Sequence, residues 1–318
     1  MLVIVAPGQG AQTPGFLAPW LEDPVFASRL RWFSAVTGLD LVHFGTEADA
    51  DAIRDTAVAQ PLLVASALVS AASLLEDGTA EVGAVAGHSV GELAAAAISG
   101  AVNAEQAMVL VRERGRAMAQ AAAVTHTSMT AVLGGDRDEV LAALESHGVT
   151  AANDNGPGQI VAAGTVEQLE ALAADPPAKA RLIPLSVAGA FHTVHMQPAV
   201  GHLSALADGL ATGDPRLSII SNRDGQLVPS GSEVVERLVS QVSSPVRWDL
   251  CMERMRALGV TGMLELPPAG TLTGIARRAM KGVETFALKT PDQLDDARAF
   301  CANHSGPADP TSAPTGAN

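Results

Sequence analysis

The chain has 318 residues, 47% of them hydrophobic, which is enough to bury a substantial core in about two compact units. Lysine and arginine total 20 against 34 aspartate and glutamate residues, and the resulting net charge of -14 argues against a general binder of nucleic-acid backbones. Tyrosine is absent, which excludes a tyrosine acid or nucleophile, and the two cysteines, Cys251 and Cys301, indicate neither a disulfide framework nor a thiolate metal site.

The sequence carries no recognisable targeting or membrane-spanning segment. No basic stretch precedes an apolar one at the start, and no uncharged apolar run reaches about 18 residues without glycine or polar breaks. We therefore expect a cytoplasmic protein without a membrane partner, in a reducing compartment that suits so few cysteines.

The first part of the chain is typical of an α/β protein. The run Leu2–Ala6 is continuously apolar and ends at Pro7-Gly8, as in a strand buried on both faces of a mostly parallel sheet. Pro61 is expected in the first turn of a helix, where its missing N–H costs least. Further elements are predicted as helices at 60–75, 92–99 and 104–121 and a strand at 82–86.

The middle of the chain, from residue 129 to residue 187, has a different order of predicted elements: strand-helix-strand-strand-helix-strand. This order is that of the ferredoxin-like unit, which closes as a small domain by itself. We predict an inserted ferredoxin-like α+β subdomain at 127–187 and a large, discontinuous α/β-hydrolase-like domain with a mostly parallel sheet at 1–126 and 188–300. The stretch 305–318 is poor in large apolar residues and is expected to be a disordered tail.

The segment Gly87-His88-Ser89-Val90-Gly91 fits the pattern G-x-S-x-G between a predicted strand and an Ala-rich helix. Small flanking residues allow a sharp turn that exposes the serine, so Ser89 is a candidate nucleophile; a glycine-rich turn with an incidental serine is the alternative. The Val90 N–H at the helix start points to the place where an oxyanion would form.

A serine nucleophile needs a base, and His192 stands out among the eight histidines. It follows the last predicted strand of the insertion through a loop of small residues that re-enters the large domain. His192 and His195 could also be read as two metal ligands, but no nearby carboxylate or cysteine completes a zinc set, so we predict no metal.

Arg114 is the third unusual residue, because it shares the apolar face of its predicted helix with Leu110, Val111 and Met118. A guanidinium there is costly unless it meets an anion, and its planar fork suits a carboxylate. The anion could belong to a substrate or to an internal aspartate or glutamate.

These residues fall within a longer set of motifs that resembles the malonyl-CoA:acyl carrier protein transacylases. The resemblance runs in order from residue 1 to about residue 290. The motifs are Pro7-Gly8-Gln9-Gly10-Ala11-Gln12, Gln60-Pro61, Gly87-His88-Ser89-Val90-Gly91-Glu92, Arg114-Gly115, Asn155-Gly156-Pro157-Gly158-Gln159, Phe191-His192 and Pro245-Val246-Arg247-Trp248.

The resemblance implies a ping-pong acyl transfer through a malonyl-serine ester on Ser89, with His192 as the base. It implies that the N–H groups of Gln9 and Val90 hold the oxyanion, and that Arg114 clamps the malonyl carboxylate in a site that includes Gln60 and Phe191. It also implies that a backbone carbonyl, expected to be that of Arg247, orients His192 in a catalytic dyad. The bulky Phe191 suggests that malonyl is preferred to methylmalonyl.

The implied partners are malonyl-CoA and an acyl carrier protein that serves fatty acid or polyketide synthesis, with no cofactor, and the enzyme is expected to be a monomer. Such carriers are acidic, so docking needs a local basic surface on this acidic chain. The stretch 247–289 has seven basic residues against four acidic ones. We expect Arg277, Arg278 and Lys281 to steer docking, although such runs are often only solvated surface.

Two other classes of function compete with the transacylase. A serine thioesterase or hydrolase would use the same Ser89 and His192 with water as acceptor, but it would not need Arg114. A nucleotide-binding or carrier-docking module is suggested by Gly8-Gln9-Gly10 after a strand, but Thr13 occupies the sixth position of G-x-G-x-x-G, where a glycine is required.

Overall fold

A computed structural model of the chain describes residues 1–76, 78 and 80–306. The tail predicted at 305–318 falls, from residue 307 onward, outside the described residues. The strands are β1 (Leu2–Ala6), β2 (Val82–Gly87), β3 (Thr127–Gly134), β4 (Thr150–Asp154), β5 (Gln159–Thr165), β6 (Ala180–Pro184), β7 (Ser218–Ile220), β8 (Val246–Arg247), β9 (Gly262–Glu265) and β10 (Glu284–Ala287). The α-helices are α1 (Pro24–Thr37), α2 (Leu41–Thr46), α3 (Thr56–Leu74), α4 (Gly91–Ser99), α5 (Ala104–Ala122), α6 (Arg137–Ser146), α7 (Val166–Ala174), α8 (Gln197–Ala207), α9 (Gly231–Ser240), α10 (Trp248–Ala257), α11 (Thr271–Ala279) and α12 (Leu294–His304).

A parallel sheet in the order β10-β9-β1-β2-β7 forms the centre of the larger part of the protein. Strand β1 is buried on both faces, because Leu2 and Ile4 pack into one hydrophobic core while Val3 and Val5 pack into a second core on the opposite face. This is why the opening run is continuously apolar rather than alternating. The mixed α/β class with a mostly parallel sheet is confirmed.

A second sheet has the order β6-β3-β5-β4-β8. Its first four strands, with α6 and α7 between them in sequence, follow the order expected of a ferredoxin-like unit and share a separate small core. Strand β8 was not predicted; it comes from residues 246–247 and pairs in parallel with β4. The division of the chain into 1–126 with 188–300 and 127–187 stays a prediction, and β8 shows that the second sheet also uses a strand from outside 127–187.

Helix α3 begins at Thr56, four residues before the predicted start. Asp55 caps it by accepting a hydrogen bond from the Ala57 N–H, so Pro61 lies inside the helix rather than in its first turn. The helix is apolar and long enough to suit a membrane span, but 83% of its apolar window is buried within the protein. It packs against α4 and α5 as a core helix.

Candidate active site

Ser89 sits in a tight turn between β2 and α4 and has a positive φ of 52°, a strained conformation for a residue with a side chain. The turn requires glycine on both sides. A Cβ on Gly87 would lie 2.0 Å from the Gly91 carbonyl carbon, and one on Gly91 would lie 2.3 Å from the Ala6 oxygen. The Ser89 N–H donates to Asn222 Oδ1 at 2.8 Å, which helps to hold the strained backbone and leaves the hydroxyl exposed to a cavity.

His192 lies against this serine, with 2.7 Å between Nε2 and the Ser89 Oγ. It also has a positive φ, of 61°, and its N–H donates to the Val242 oxygen. Both members of the predicted dyad therefore stand on strained backbone that the surrounding fold holds in place.

The carbonyl that meets His192 is that of Gln241, 2.8 Å from Nδ1, so the prediction that Arg247 orients the histidine is wrong. Gln241 follows the last residue of α9, where carbonyl oxygens have no partner within the helix. Arg247 is instead the N-cap of α10, where the carbonyl starts the helical hydrogen-bond ladder, and its guanidinium is paired with Asp249.

The hydrogen bonds of His192 define its tautomer. A carbonyl can only accept, so Nδ1 carries the proton and donates to Gln241, and Nε2 is left with a lone pair that accepts the Ser89 hydroxyl proton. Burial, together with the positive charge of Arg114, lowers the pKa of His192 from 6.5 to about 3. The imidazole is therefore neutral at physiological pH and ready to act as a base.

Arg114 is only 2% exposed and reaches the same serine, with Nη2 3.4 Å from the Ser89 Oγ. Its Nη1 donates to Gln60 Oε1 at 2.6 Å, and its Nη2 donates to Gln241 Oε1 at 2.8 Å. Burial lowers its pKa from 12.5 to about 10, and Glu92 opposes this shift, so the guanidinium stays charged at neutral pH. The two amide oxygens fix its plane but supply no charge, which leaves the cation available to an anionic ligand.

Glu92, Asn222 and Gln241 form a buried network beneath the serine that sequence reasoning missed. One Glu92 oxygen accepts from the Asn222 N–H at 2.8 Å, and the other accepts from the Gln241 side-chain amide. Burial raises the pKa of Glu92 from 4.5 to about 7, although these hydrogen bonds and Arg114 oppose the shift. An acidic residue at a buried position directly after the serine turn was the available signal for Glu92, whereas nothing local in the sequence marks Gln241.

The serine opens into a cavity of about 300 Å³ between the two sheets. Gln9, Gln60, Val90 and Phe191, which the sequence predicts to bind the substrate or the oxyanion, line it, whereas Arg114 does not. Within the part of the chain that the structure describes, the Gln9 and Val90 N–H groups donate no hydrogen bond, so both are available to an oxyanion.

The second sheet supplies the opposite wall of the cavity, through residues such as Asn153, Asn155 and Val161. His88, next to the serine, donates a 2.8 Å hydrogen bond from its Nε2 to Asn155 Oδ1. Burial lowers the pKa of His88, so this buried histidine ties the serine turn to the second sheet as a neutral ring.

The helix that carries two of the basic residues predicted to steer docking borders the cavity. Helix α11 contributes Leu272 and Ile275 to the cavity wall, and it exposes Arg277 and Arg278. Arg278 contacts the cavity residue Gln159 at 3.4 Å, and Lys281 follows the helix as an exposed residue. His195 lies three residues beyond His192, and no group of three or more potential metal-ligating side chains occurs among residues 1–76, 78 and 80–306.

Comparison with known proteins gives a match to the acyl transferase domain over residues 3–300. The chain is 49% identical over 300 residues to the malonyl CoA-acyl carrier protein transacylase of Mycobacterium tuberculosis (strain ATCC 25618 / H37Rv), covering 93% of this chain and 99% of that protein. It is 30% identical over 297 residues to the protein of the same description from Escherichia coli (strain K12), covering 91% and 96%.

Solved structures agree with these relatives. The crystal structure of MCAT from Mycobacterium tuberculosis superimposes with a TM-score of 0.91 at 49% identity, over 94% of this chain and 99% of that chain. The PlMCAT:AntF complex, a type II PKS acyl-carrier protein with its malonyl-transacylase, gives a TM-score of 0.88 at 30% identity over 94% and 99%.

The fold, the serine at a strand-helix turn and the domain match define an acyltransferase. The chain belongs to the malonyl CoA-acyl carrier protein transacylase family.

Proposed function

We propose that this enzyme transfers the malonyl group from malonyl-CoA to the phosphopantetheine thiol of an acyl carrier protein. The observation that carries the proposal is the convergence on one hydroxyl of a neutral imidazole and a buried cation: His192 Nε2 lies 2.7 Å and Arg114 Nη2 lies 3.4 Å from the Ser89 Oγ. The first prepares a nucleophile, and the second offers a site for the free carboxylate of the acyl group.

In the first half-reaction, His192 Nε2 takes the Ser89 hydroxyl proton while Oγ attacks the thioester carbon. The N–H groups of Gln9 and Val90 stabilise the oxyanion, each by about 3 kcal/mol. The carbon–sulfur bond then breaks, and the sulfur takes the proton from His192 and leaves as CoA. The product is a malonyl-serine ester.

In the second half-reaction, His192 takes the proton of the carrier's thiol, and the sulfur attacks the ester carbon. The bond to Ser89 Oγ breaks, and Oγ recovers its proton from His192. The Gln241 carbonyl stabilises the imidazolium that exists between these proton transfers, since it accepts from the protonated Nδ1 throughout.

Arg114 distinguishes this proposal from a serine thioesterase with the same dyad. Each terminal guanidinium nitrogen has two N–H groups, and one on each is used by the amide oxygens of Gln60 and Gln241. The second Nη2 donor lies 3.4 Å from the Ser89 Oγ, so it and the second Nη1 donor suit a carboxylate held next to the serine ester, whereas a simple thioesterase has no use for a buried cation at this position.

Mass measurement of the intact chain after incubation with malonyl-CoA tests the proposal. The wild type should gain one malonyl group, Ser89→Ala should gain none, and added carrier protein should remove the adduct from the wild type and gain the malonyl group itself. Release of free malonate at the same rate with and without carrier would instead establish the thioesterase.

The same proposal includes the docking surface of Arg277, Arg278 and Lys281. Reversing these charges should lower the on-rate of the acidic carrier, because steering by opposite charges raises association rates. Formation of the malonyl adduct from malonyl-CoA should not change. Equal carrier kinetics in the reversed variant would reject this surface.

The remaining parts of the proposal rest on composition and on the family resemblance. We assign the enzyme to the cytoplasm, as a monomer that needs no cofactor and binds neither nucleic acid nor membrane. Two cysteines in 318 residues suit a reducing compartment, and a net charge of -14 disfavours polyanions as partners.

A further inference from the structure

A groove with a volume of about 460 Å³ lies on the outer surface of the larger part, where α1, α3, the end of α4 and the start of α5 meet. Ten of its twelve lining residues are apolar, among them Phe33, Leu68, Leu75 and Ile98. It shares no residue with the active-site cavity. The groove is therefore separate from the active-site cavity, and the reaction does not use it.

Trp32 forms one edge of the groove and is 56% exposed. Exposure of an indole ring to water is unfavourable, and the other two tryptophans, Trp20 and Trp248, are fully buried. Its Nε1–H donates to Glu105 Oε1 at 3.0 Å, so the ring is held in place rather than free to turn. The groove thus presents a fixed aromatic wall.

Arg29 lies one helical turn before Trp32 and Phe33 on α1 and lines the same groove. Its Nη1 is buried and has no hydrogen-bond partner among residues 1–76, 78 and 80–306, and Arg29 forms no ion pair with any carboxylate there, Glu105 included. Arg29 as a whole is partly exposed and lines the groove, and no carboxylate pairs with it, so an anion bound in the groove can accept a charge-assisted hydrogen bond from its guanidinium.

We propose that this groove binds an amphiphile with a single negative charge, a medium- or long-chain fatty acid, with the carboxylate on Arg29 and the hydrocarbon chain along the apolar lining. The volume lies in the range of about 300–1,000 Å³ that is typical of ligand pockets. Arg29 is the one cation of the lining, and the Glu105 carboxylate accepts from the Trp32 indole, so the lining suits a single carboxylate placed at Arg29 better than a phosphate dianion. The net charge of -14 excludes general attraction of anions to this surface.

Isothermal titration of the full chain with dodecanoate and, separately, with dodecanol tests the proposal, each ligand being kept below the concentration at which it aggregates. We expect one dodecanoate site per chain. Arg29→Gln should weaken dodecanoate about tenfold and leave dodecanol unchanged, because only the carboxylate uses the charge. Ala72→Phe should weaken both about tenfold or more, because it fills the groove.

Arg31→Gln is the matched control, since Arg31 is exposed on the same helix and does not line the groove. It should leave both affinities unchanged, and malonyl transfer should stay at the wild-type level in the Arg29 and Arg31 variants. Equal loss of dodecanoate binding in the two arginine variants, no loss in Arg29→Gln, or displacement of dodecanoate by malonyl-CoA would overturn the proposal. A dimer in sedimentation that Ala72→Phe dissociates would do so as well, because the groove would then bind a second copy.

Discussion

Replacement of Arg114 by alanine is the most direct test of how the acyl group is recognised. We expect Arg114→Ala to lower kcat/KM for malonyl-CoA strongly and to leave kcat/KM for acetyl-CoA, which has no free carboxylate, nearly unchanged. The reason is the burial of the guanidinium, which is 2% exposed and has Nη2 3.4 Å from the Ser89 Oγ.

The magnitude follows from that burial. Breaking a buried pair by removing one charged partner costs about 3–5 kcal/mol, which corresponds to about 160- to 5,000-fold in kcat/KM. The ratio of the two specificity constants should fall by the same factor. Arg114→Lys should be intermediate, since it keeps a positive charge but loses the planar fork and the two amide partners, Gln60 and Gln241.

The assay is steady-state acyl transfer to carrier protein from each thioester, with near-ultraviolet circular dichroism to establish that each variant is folded. Arg116→Ala is the matched control, because Arg116 is on the same helix with its side chain 60% exposed. If folded Arg114→Ala keeps the wild-type ratio within about twofold, the carboxylate is recognised elsewhere and the reasoning fails.

Three further results are expected. Folding lowers the pKa of His192 from 6.5 to about 3, so between these pH values only the unfolded chain binds this proton. The free energy of unfolding of the wild type should therefore fall by about 3 kcal/mol relative to that of His192→Gln between pH 7 and pH 4, as measured by denaturant titration. A difference between the two proteins that does not change with pH would contradict this. Gly91→Ala places a Cβ 2.3 Å from the Ala6 oxygen and should destabilise the fold by about 3 kcal/mol or more in denaturant unfolding, whereas the control Gly201→Ala, in open space on α8, should be neutral or stabilising. Phe191→Ser should raise the methylmalonyl-to-malonyl ratio of kcat/KM about tenfold, and an unchanged ratio would remove Phe191 from substrate selection.

The local features of the site were predictable from the sequence because they depend on neighbouring residues. The small residues around Ser89 permit only a sharp turn between strand and helix, and the structure has that turn. An arginine within an apolar helical face is expected to have buried polar partners, and Arg114 has such partners beside the serine.

Features that depend on distant parts of the chain were not predictable in this way. The carbonyl that accepts from His192 depends on where α9 ends and how its last turn packs, so the family resemblance implied Arg247 where the structure has Gln241. Strand β8 has two residues, too few for any periodicity, and only its partner β4 makes it a strand. The early start of α3 was missed because Asp55, the capping residue, precedes the apolar run on which the prediction depended.

The pairing of β8 with β4 has a mechanical consequence for the enzyme. This short strand forms an edge of the second sheet and leads directly into α10, which belongs to the larger part. Main-chain hydrogen bonds between β8 and β4 therefore connect the two walls of the cleft. Separation of the two walls would break the hydrogen bonds between β8 and β4. These hydrogen bonds oppose separation of the two walls, an arrangement that suits a slender, flexible substrate arm better than a bulky group.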